Sequence, residues 1–547
     1  MTRYVTPNIR VGQGVISLRL SEHMQIEKSM TGHIGNYSEL WKALPWKQFR
    51  KNVFRLQCRL WKAVRANDKK RINRLQRLLL KSRSARFLAI RQITQLNQGK
   101  KTPGIDGKAK LNFQERFELE QLLKTEAHNW KHQGLREIPI PKKDGTTRML
   151  KVPTIQDRAW QKLVHYALDA AHEATFHANS YGFRPGRSAH DAQKAIFDNL
   201  RSYANGKNKF ILEMDIAKCF DRIRHDLLMK AIMLPQAYKQ GVYICLKAGQ
   251  EVGFDEGIGT PQGGIISPTL ANIALNELDH SRVFENKGLR LIRYADDMVL
   301  ILKPQHIILK DSYKNHIESM LKKWGLELKE AKTKFVSPTD GFDFLGWHFY
   351  VQVNNGKFRC VPSKDNYRSF VKKVKTIVNC SNYGAETKAS KLAPIIRGWR
   401  KYHRFCDMEK YNLFSTEKRT WKVFRKEKNS NRSQVDAIIK KAFPDVSYSE
   451  NAHIKVQGNR SPYDGDLIYW SQRNSKLYDG KTAELLRKQN HTCGYCGIKF
   501  LYEEKVHLHH TDGNHDNWKS KNLLVVHESC HDDIHMNKVN NPTIPLK

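Results

Sequence analysis

The stretch Arg293-Tyr-Ala-Asp-Asp-Met-Val-Leu-Ile301 sets two adjacent acids in a run that is otherwise largely apolar. This pattern predicts a β-hairpin over about 289–302 that carries Asp296 and Asp297 at its turn. Further upstream, Phe210-Ile-Leu-Glu-Met-Asp215 alternates apolar residues and predicts a strand that ends on a third acid. Carboxylates among Val, Leu and Ile are costly unless a cation neutralises them, so we expect the three acids to bind Mg²⁺.

The three acids favour a site for nucleotide transfer. Two Mg²⁺ ions about 4 Å apart can activate a 3′-hydroxyl and stabilise a leaving pyrophosphate, and we expect the acids to hold such a pair. The alternative is that one acid of the Asp296–Asp297 pair caps a turn while the other is solvated, as most surface acids are.

The composition predicts a multidomain protein with a polyanionic partner. The chain of 547 residues has 95 Lys and Arg against 54 Asp and Glu, which gives a net charge of +41. It contains no long uncharged apolar run, so we expect no membrane association. The nine cysteines are odd in number and thinly spread, which does not indicate a disulfide framework. We expect a bacterial cytoplasmic location, with an organelle as the alternative because the first twenty residues carry arginines and no acid.

A pair of strongly basic helices is predicted within an N-terminal extension over 1–97. Residues 47–100 contain seventeen Lys and Arg but a single acid, Asp68. Apolar residues such as Val53 and Leu60 recur at helical spacing, which leaves the basic residues on an outer face. We expect this face to bind nucleic-acid phosphates through seven side chains: Arg55, Arg59, Lys69, Lys70, Arg71, Arg74 and Arg77. The alternative is a pair of ordinary solvated helices.

Six sequence blocks follow one another in the order that reverse transcriptases show. They are 136–158, 180–188 (Ser-Tyr-Gly-Phe-Arg-Pro-Gly-Arg-Ser), 215–221, 259–268 (Gly-Thr-Pro-Gln-Gly-Gly-Ile-Ile-Ser-Pro), 294–297 (Tyr-Ala-Asp-Asp) and 341–346. Two further segments, 97–107 and 394–402, resemble group II intron-encoded proteins, in which the reverse transcriptase also acts as a splicing maturase. The resemblance implies a multidomain α+β protein, a right-hand polymerase with fingers and palm over 98–355 and an α-helical thumb, or maturase domain X, over 356–435.

The same resemblance makes the three acids the catalytic metal ligands and implies a dNTP-binding site beside them. Five residues would form that site: Lys142, Arg148, Phe220, Gln262 and Lys332. Lys142 and Arg148 would clamp the triphosphate, and the Phe220 ring would exclude a ribose 2′-hydroxyl. Gln262 would brace the template–nucleotide pair, and Lys332 would donate a proton to pyrophosphate.

Near the C-terminus, two pairs of soft ligands predict a structural Zn²⁺ site. Cys493-Gly-Tyr-Cys496 and His527-Glu-Ser-Cys530 each leave two residues between the ligand positions. This spacing lets two side chains reach one ion from a tight turn, and four such ligands make a closed site. The alternatives are unrelated free cysteines or a disulfide, which an intracellular chain disfavours.

A set of histidines overlaps the cysteine pairs and resembles HNH nucleases of the ββα-metal class, which some group II intron proteins carry. By this resemblance His510 would be the general base and Asn522 would tether the loop that orients it. One divalent ion, Mg²⁺ or Mn²⁺, would be bound by three further histidines: His509, His531 and His535. The alternative is that these histidines enlarge a structural zinc site in a DNA-binding module.

Together these features predict three linked activities. The protein would bind its intron RNA and assist splicing, nick target DNA with an endonuclease domain over 479–547, and extend the exposed 3′-hydroxyl with dNTPs along the RNA. Residues 436–478 would be a linker or DNA-binding region. The alternatives are a reverse transcriptase of another retroelement lineage, an RNA-binding maturase without enzymatic activity, and a DNA-binding nuclease with an inherited RNA platform.

Overall fold

The computed structural model describes residues 37–141, 145, 147–248, 257–428, 431–478, 480–500 and 506–538. Its first helices are α1 (Tyr37–Ala43), α2 (Trp46–Arg65), α3 (Lys69–Leu80), α4 (Arg83–Arg91) and α5 (Phe113–Glu126). The predicted amphipathic pair is present as α2 and α3, which bury Val53, Leu60 and Leu79. Asp68 caps α3 because its carboxylate accepts a hydrogen bond from the backbone N–H of Arg71 at 2.9 Å.

The N-terminal helices share one hydrophobic core with the central sheet of the molecule. Trp41 and Phe49 belong to the same buried cluster as Leu212 and Leu300, which lie in two strands of that sheet. Helices α2 and α4 pack against the long helix α6 (Ile155–Glu173). The predicted boundary at residue 97 therefore does not divide two separate bodies, because the apolar faces on either side of it cover each other.

A hairpin of two strands precedes α6. Strands β1 (Arg136–Pro141) and β2 (Thr147–Val152) pair antiparallel, with Arg136 opposite Val152. Helix α6 follows directly, and Thr154 caps it by accepting a hydrogen bond from the backbone N–H of Asp157 at 3.2 Å. The hairpin is thereby joined to a helix that is buried along nearly its whole length.

The central sheet is antiparallel and covered on both faces. It contains β3 (Phe210–Asp215), β4 (Leu289–Tyr294), β5 (Asp297–Leu302) and β6 (Lys334–Val336), in the order β4-β5-β3-β6. Leu212 and Leu300 face the core shared with the N-terminal helices, whereas Ile211 and Val299 face a second core. Because both faces are buried, the strands read as nearly continuous apolar runs.

The second core lies between the central sheet, a helix and a smaller sheet. That helix is α7 (Ala189–Leu200). The first core instead receives the helices α8 (Cys219–Arg222), α9 (His225–Ala231), α10 (Gln236–Ala248), α11 (Ser267–Asp279) and α12 (Lys310–Lys323). Strands β7 (Phe342–Phe344), β8 (Trp347–Val351) and β9 (Phe358–Pro362) form the smaller sheet, which packs with α7. The predicted domain end at 355 must move to 362, because β9 pairs with β8 over 358–362.

Four helices then form a separate helical domain with its own core. They are α13 (Lys364–Val378), α14 (Ala385–Tyr402), α15 (Phe414–Lys428) and α16 (Arg432–Ala442). Phe370, Leu392, Phe424 and Ile439 meet in the buried cluster of this domain. The predicted end of the thumb at 435 falls inside α16, which continues to Ala442 and packs against α14.

The segment that follows is not a free linker, because it is packed onto the central body; the alternative prediction of a DNA-binding region stays a prediction. It includes α17 (Leu467–Leu477). The Asp191 carboxylate of α7, fully buried, accepts hydrogen bonds from the Val456 backbone N–H at 2.8 Å and from Arg473 at 2.9 Å. Trp470 packs so closely on Gly186 that a side chain there would clash. Buried polar contacts of this kind hold the segment in one place.

The last described part of the chain, residues 480–538, is termed the C-terminal unit. It contains α18 (Gly480–Lys488), the antiparallel strands β10 (Val506–His510) and β11 (Leu523–His527), and α19 (Glu528–Lys538). The hairpin and α19 enclose a small core that includes Leu485, Phe500, Val525 and Ile534. Across the described residues, no helix has both the length and the apolar character that a bilayer span requires.

Candidate active site and metal centres

Three carboxylates meet at one end of the central sheet. Strands β3 and β5 place Asp215 directly opposite Asp297. Tyr294 pairs with Asp297 across the hairpin, so Ala295 and Asp296 form the two-residue turn between β4 and β5. The structure therefore brings the three acids together as the sequence predicts, with two of them on neighbouring strands and the third in the turn beside them.

The electrostatics of this site favour a bound cation. Burial, reinforced by the charges of Asp296 and Asp215, raises the pKa of Asp297 to about 7. Burial is also the main cause of a raised pKa at Asp296. Lys332 donates a hydrogen bond to Asp215 Oδ2 at 2.6 Å, and this bond raises the pKa of the lysine. Hard oxygen ligands that repel one another are the donor set that Mg²⁺ fits, since the ion relieves the repulsion.

A buried arginine that is not among the predicted site residues holds the hairpin in place. Arg293, fully buried in β4, forms a salt bridge with Asp279 of α11 at 2.5 Å. It also donates hydrogen bonds to Asn272 Oδ1 at 2.9 Å, to Ser180 Oγ at 2.7 Å and to the Ala295 carbonyl at 2.9 Å. The last bond reaches the turn itself, so Arg293 ties the acidic turn to two distant segments, α11 and the segment at Ser180.

The turn is also held by close backbone packing. Ala295 has a φ of +57°, which lies in the left-handed region that two-residue hairpin turns use. A Cβ atom at Gly182 would collide with the backbone of Ala295. This contact explains why the block at 180–188 contains a glycine, because only glycine lets that segment approach the acidic turn.

Four of the five predicted dNTP-binding residues lie around the acids, and Lys142 falls outside the described residues. Arg148 donates a hydrogen bond to Gln262 Oε1, and Gln262 in turn donates to Asp221 Oδ1 at 2.9 Å. The positive charge of Arg148 lowers the pKa of Asp296 and so opposes the effect of burial. Phe220 is half-buried in α8, immediately after the strand that ends at Asp215. Its position is fixed by the Thr260 backbone N–H, which donates to the Phe220 carbonyl at 2.5 Å.

The four predicted zinc ligands converge in the C-terminal unit. Cys493, Cys496, His527 and Cys530 are all buried, and one ligand atom from each lies within 4.8 Å of the others. His527 Nδ1 is 3.3 Å from Cys496 Sγ and 3.7 Å from Cys530 Sγ. Contacts with Cys496, Cys530 and His527 lower the pKa of Cys493, which favours the thiolate. Three thiol ligands and one imidazole with no open position fit a structural Zn²⁺ ion.

The three predicted nuclease ligands form a second cluster. His509 of β10 and the pair His531 and His535 of α19 place their ligand atoms within 4.8 Å of one another. The Nε2 atoms of His531 and His535 are 3.2 Å apart, as expected for neighbours at i and i+4 on a helix. Such a group of imidazoles fits a divalent ion and leaves coordination positions for water or substrate.

His510 and Asn522 lie beside this second cluster. His510 is buried, and neither of its ring nitrogens has a hydrogen-bond partner among the described residues. Its ring packs edge-on against Trp518, with the centroids 5.3 Å apart. Asn522 accepts hydrogen bonds from Thr511 Oγ1 at 2.9 Å and from the Asp512 backbone N–H at 3.0 Å. The asparagine thus ties down the loop that follows His510, which is the geometry expected of a loop tether.

The predicted RNA-binding residues form an open basic face on α2 and α3. All seven are exposed: Arg55, Arg59, Lys69, Lys70, Arg71, Arg74 and Arg77. Within the part of the chain that the structure describes, none of the seven forms a salt bridge with a carboxylate. Their charge is therefore available to phosphates.

Comparison with known proteins identifies the family. Residues 41–123 match the N-terminal domain of reverse transcriptase, 140–349 match reverse transcriptase (RNA-dependent DNA polymerase), and 367–437 match the group II intron maturase-specific domain. The chain is 37% identical to maturase-like protein 1 of Euglena gracilis over 464 residues, which cover 83% of this chain and 96% of that protein. The chain belongs to the group II intron-encoded reverse transcriptase–maturases.

Two more relatives agree with this assignment. Maturase-like protein 1 of Euglena longa is 32% identical over 403 residues, covering 73% of this chain and 86% of that protein. The group II intron-encoded protein LtrA of Lactococcus lactis subsp. cremoris is 27% identical over 410 residues, covering 59% of this chain and 65% of that protein.

The family assignment confirms the prediction of a reverse transcriptase with a group II intron maturase domain. The maturase-specific match decides against a reverse transcriptase of another retroelement lineage. As a reverse transcriptase, the protein has the fingers and palm of an RNA-dependent DNA polymerase, and the family implies the use of divalent metal ions. The helical domain of α13 to α16 is the maturase domain, and the basic N-terminal helices belong to the reverse transcriptase itself.

Proposed function

We propose that this reverse transcriptase–maturase carries out target-primed reverse transcription. The C-terminal unit would nick target DNA, and the palm would extend the exposed 3′-hydroxyl with dNTPs along bound intron RNA. The proposal depends above all on three converging carboxylates and, in the same chain, a separate histidine cluster next to His510, whose ring nitrogens accept or donate no hydrogen bond among the described residues.

In the polymerase step, Asp215, Asp296 and Asp297 would hold two Mg²⁺ ions, which supply charge neutralisation and activation of the 3′-hydroxyl. Arg148 would bind the triphosphate, and Gln262, which contacts both Arg148 and Asp221, would support the nascent base pair. These groups are positioned before substrate arrives, so catalysis would come from orientation and electrostatics.

Two further residues would act on the nucleotide itself. The Phe220 ring would exclude a ribose 2′-hydroxyl by steric clash. Phe220 lies in α8, which follows the strand that ends at Asp215, and this closeness in the chain supports the role. Lys332 would donate a proton to the leaving pyrophosphate, since its ammonium group already lies 2.6 Å from Asp215 Oδ2 at the metal-binding end of the sheet.

In the nicking step, the C-terminal unit would act as an HNH nuclease of the ββα-metal class. The hairpin of β10 and β11 followed by α19 has the order of elements that this class requires. Cys493, Cys496, His527 and Cys530 would bind a structural Zn²⁺, and His509, His531 and His535 would bind the catalytic divalent ion. His510 would take a proton from the attacking water, and Asn522 would keep the loop after it in position.

The exposed basic face of α2 and α3 and the maturase domain would bind the intron RNA and help it fold for splicing. Recognition of a structured RNA depends mainly on shape and on phosphate contacts, which suits arginines and lysines without acidic partners. Binding through several phosphates would weaken steeply as the salt concentration rises.

The experiment separates the two chemical steps in the full-length protein. Nicking is measured on supercoiled plasmid DNA with Mg²⁺ or Mn²⁺, and extension is measured on a DNA primer annealed to an RNA template. We expect His510→Ala to abolish nicking and keep extension, and Asp296→Asn to do the reverse. His491→Gln, in the same unit but outside both clusters, is the matched control and should keep both activities. Equal nicking by wild type and His510→Ala would remove the endonuclease from the proposal.

A further inference from the structure

The C-terminal unit contacts the N-terminal helices through two arginines. Arg50 of α2 donates one hydrogen bond to Ser529 Oγ at 3.0 Å and a second to Cys530 Sγ at 3.0 Å. Arg91 of α4 forms a salt bridge with Asp533 at 2.9 Å. All three residues contacted by the arginines lie on α19, the helix that also carries His531 and His535.

The salt bridge between Arg91 and Asp533 is enclosed by protein. The Arg91 and Asp533 side chains are 5% and 15% exposed. The guanidinium group of Arg91 also lies 4.5 Å from the ring centroid of Trp46, which is itself buried, so the arginine is held in place from the N-terminal side. Removing one partner of such a pair leaves the other charge in a poorly solvated position, which makes the contact strongly dependent on both.

The contacts with the two arginines and the histidine cluster lie on different faces of α19. Ser529 and Asp533 are four residues apart and share one face of the helix, and His531 and His535 share another. The two faces differ by about 200° of rotation, because each residue of an α-helix advances by about 100°. The face that meets α2 and α4 is therefore opposite the face that carries the histidine cluster.

We propose that Arg50 and Arg91 are positioning residues that lock α19 onto the reverse transcriptase body with its histidine face turned outward. Arg50 adds a second role, because its hydrogen bond to the Cys530 sulfur positions one of the residues of the proposed zinc site. The C-terminal unit is thus a docked part of the polymerase body, with a defined orientation of its metal ligands.

The docking has a consequence that rests on the proposed function. If the C-terminal unit nicks DNA, a fixed orientation keeps the new 3′-hydroxyl at a constant distance from the palm acids. Loosening the unit would then lower the yield of DNA that is both nicked and extended, although each step measured alone would persist. A fixed geometry would raise the rate of the second step, because the 3′-hydroxyl and the palm acids would not have to find each other by diffusion.

The direct test compares two neighbouring acids of α19 in the full-length, zinc-loaded protein. Asp533→Asn removes the partner of Arg91, whereas Asp532→Asn makes the same change at an exposed position of the same helix. Hydrogen–deuterium exchange of the α19 amides should lose protection by about tenfold or more in Asp533→Asn and remain at the wild-type level in Asp532→Asn. Equal protection in all three proteins would overturn the docking.

A charge exchange controls for misfolding. Asp533→Arg should lose protection as well, and the double variant with Arg91→Asp and Asp533→Arg should regain part of it, provided that the bound zinc is unchanged. Failure of the double variant to regain any protection would contradict a specific pairing. The exchange readout does not require nuclease activity, so a wild-type protein that never nicks DNA would refute the proposed endonuclease and leave the docking result standing.

Discussion

The carboxylate site of the palm and the metal clusters of the C-terminal unit both gather ligands from distant segments, but they are supported differently. The palm acids stand at the end of a sheet that is buried on both faces, and Arg293 ties their turn to α11. In the C-terminal unit, Cys493, Cys496 and Cys530 are themselves members of the small buried core. The ligands there make up much of the interior that holds the unit together.

This difference predicts opposite responses to metal removal. The palm keeps its shape without metal, because hydrophobic burial and the Arg293 contacts do not involve the ion, but it is left with mutually repelling acids. The C-terminal unit has only a small apolar core, so binding of the proposed Zn²⁺ would supply much of its folding free energy. The palm should therefore stay folded when metal is removed, whereas the C-terminal unit should unfold.

The largest expected effect is unfolding of the C-terminal unit when zinc is removed. Structural zinc sites contribute about 10 kcal/mol or more of apparent folding free energy, so Cys493→Ser or a zinc chelator should unfold residues 480–538. Limited proteolysis should then cleave this unit while primer extension on an annealed template continues. Cys58→Ser, which changes a free cysteine of α2, is the control. A unit that resists proteolysis equally with and without zinc would contradict the comparison.

A smaller effect is expected from Arg293→Met in the palm. This substitution leaves the buried Asp279 carboxylate without its guanidinium partner and should lower the free energy of unfolding by about 3–5 kcal/mol. Arg290→Met is the matched control, because Arg290 lies on the same strand but is exposed, and it should change stability by about 0.5 kcal/mol or less. Thermal unfolding measures both. Equal melting temperatures for the two variants would show that Arg293 does not hold the hairpin.

The smallest expected effect is a pH dependence of the stability of the palm when metal is absent. The pKa of Asp297 is raised from 3.8 to about 7, so the folded protein binds this proton more tightly than the unfolded chain does. Stability without metal must therefore fall as pH rises from about 4 to about 7. Asp297→Asn removes this loss, so the variant should gain free energy of unfolding over the metal-free wild type. This gain should be larger at pH 8 than at pH 5 by about 2 kcal/mol.

The control for this titration is Asp340→Asn, which changes an exposed carboxylate in the turn after β6. Melting temperatures recorded without divalent ions should separate Asp297→Asn from this control at pH 8 and bring them together at pH 4. Addition of Mg²⁺ should raise the melting temperature of wild type and leave Asp297→Asn nearly unchanged. A pH-independent difference between the two variants would argue against repulsion among the acids.

Local sequence patterns predict the palm acids and the zinc ligands, whereas the nuclease ligands follow from the resemblance to HNH nucleases. Alternation over 210–215 and the acidic turn in 293–301 indicate strands whose ends bear the acids, and antiparallel pairing then brings them together. The spacing of Cys493 and Cys496 is likewise local, because two ligands in one turn need no knowledge of the rest of the fold. Strand ends, turns and ligand spacings depend on short segments and can therefore be predicted from the sequence.

The contacts that were missed join segments far apart in the chain. Arg293 is visible as one of two arginines in an otherwise largely apolar strand, but its partners at 180, 272 and 279 follow only from the tertiary arrangement. The segment containing Val456 and Arg473 reads as a polar linker because its anchor, Asp191, lies more than 250 residues earlier. Arg50 and Arg91 have no predicted role for the same reason, because their partners on α19 lie near the other end of the chain.

The most direct test of the palm site is primer extension on an RNA template with Mg²⁺, comparing wild type with Asp215→Asn and Asp297→Asn. These two acids come from separate strands, and loss of either should lower the extension rate by about 100-fold or more, with RNA binding retained. Asp340→Asn should extend at the wild-type rate. Wild-type extension by Asp215→Asn or by Asp297→Asn would contradict the proposal that the converging carboxylates hold the catalytic metal ions.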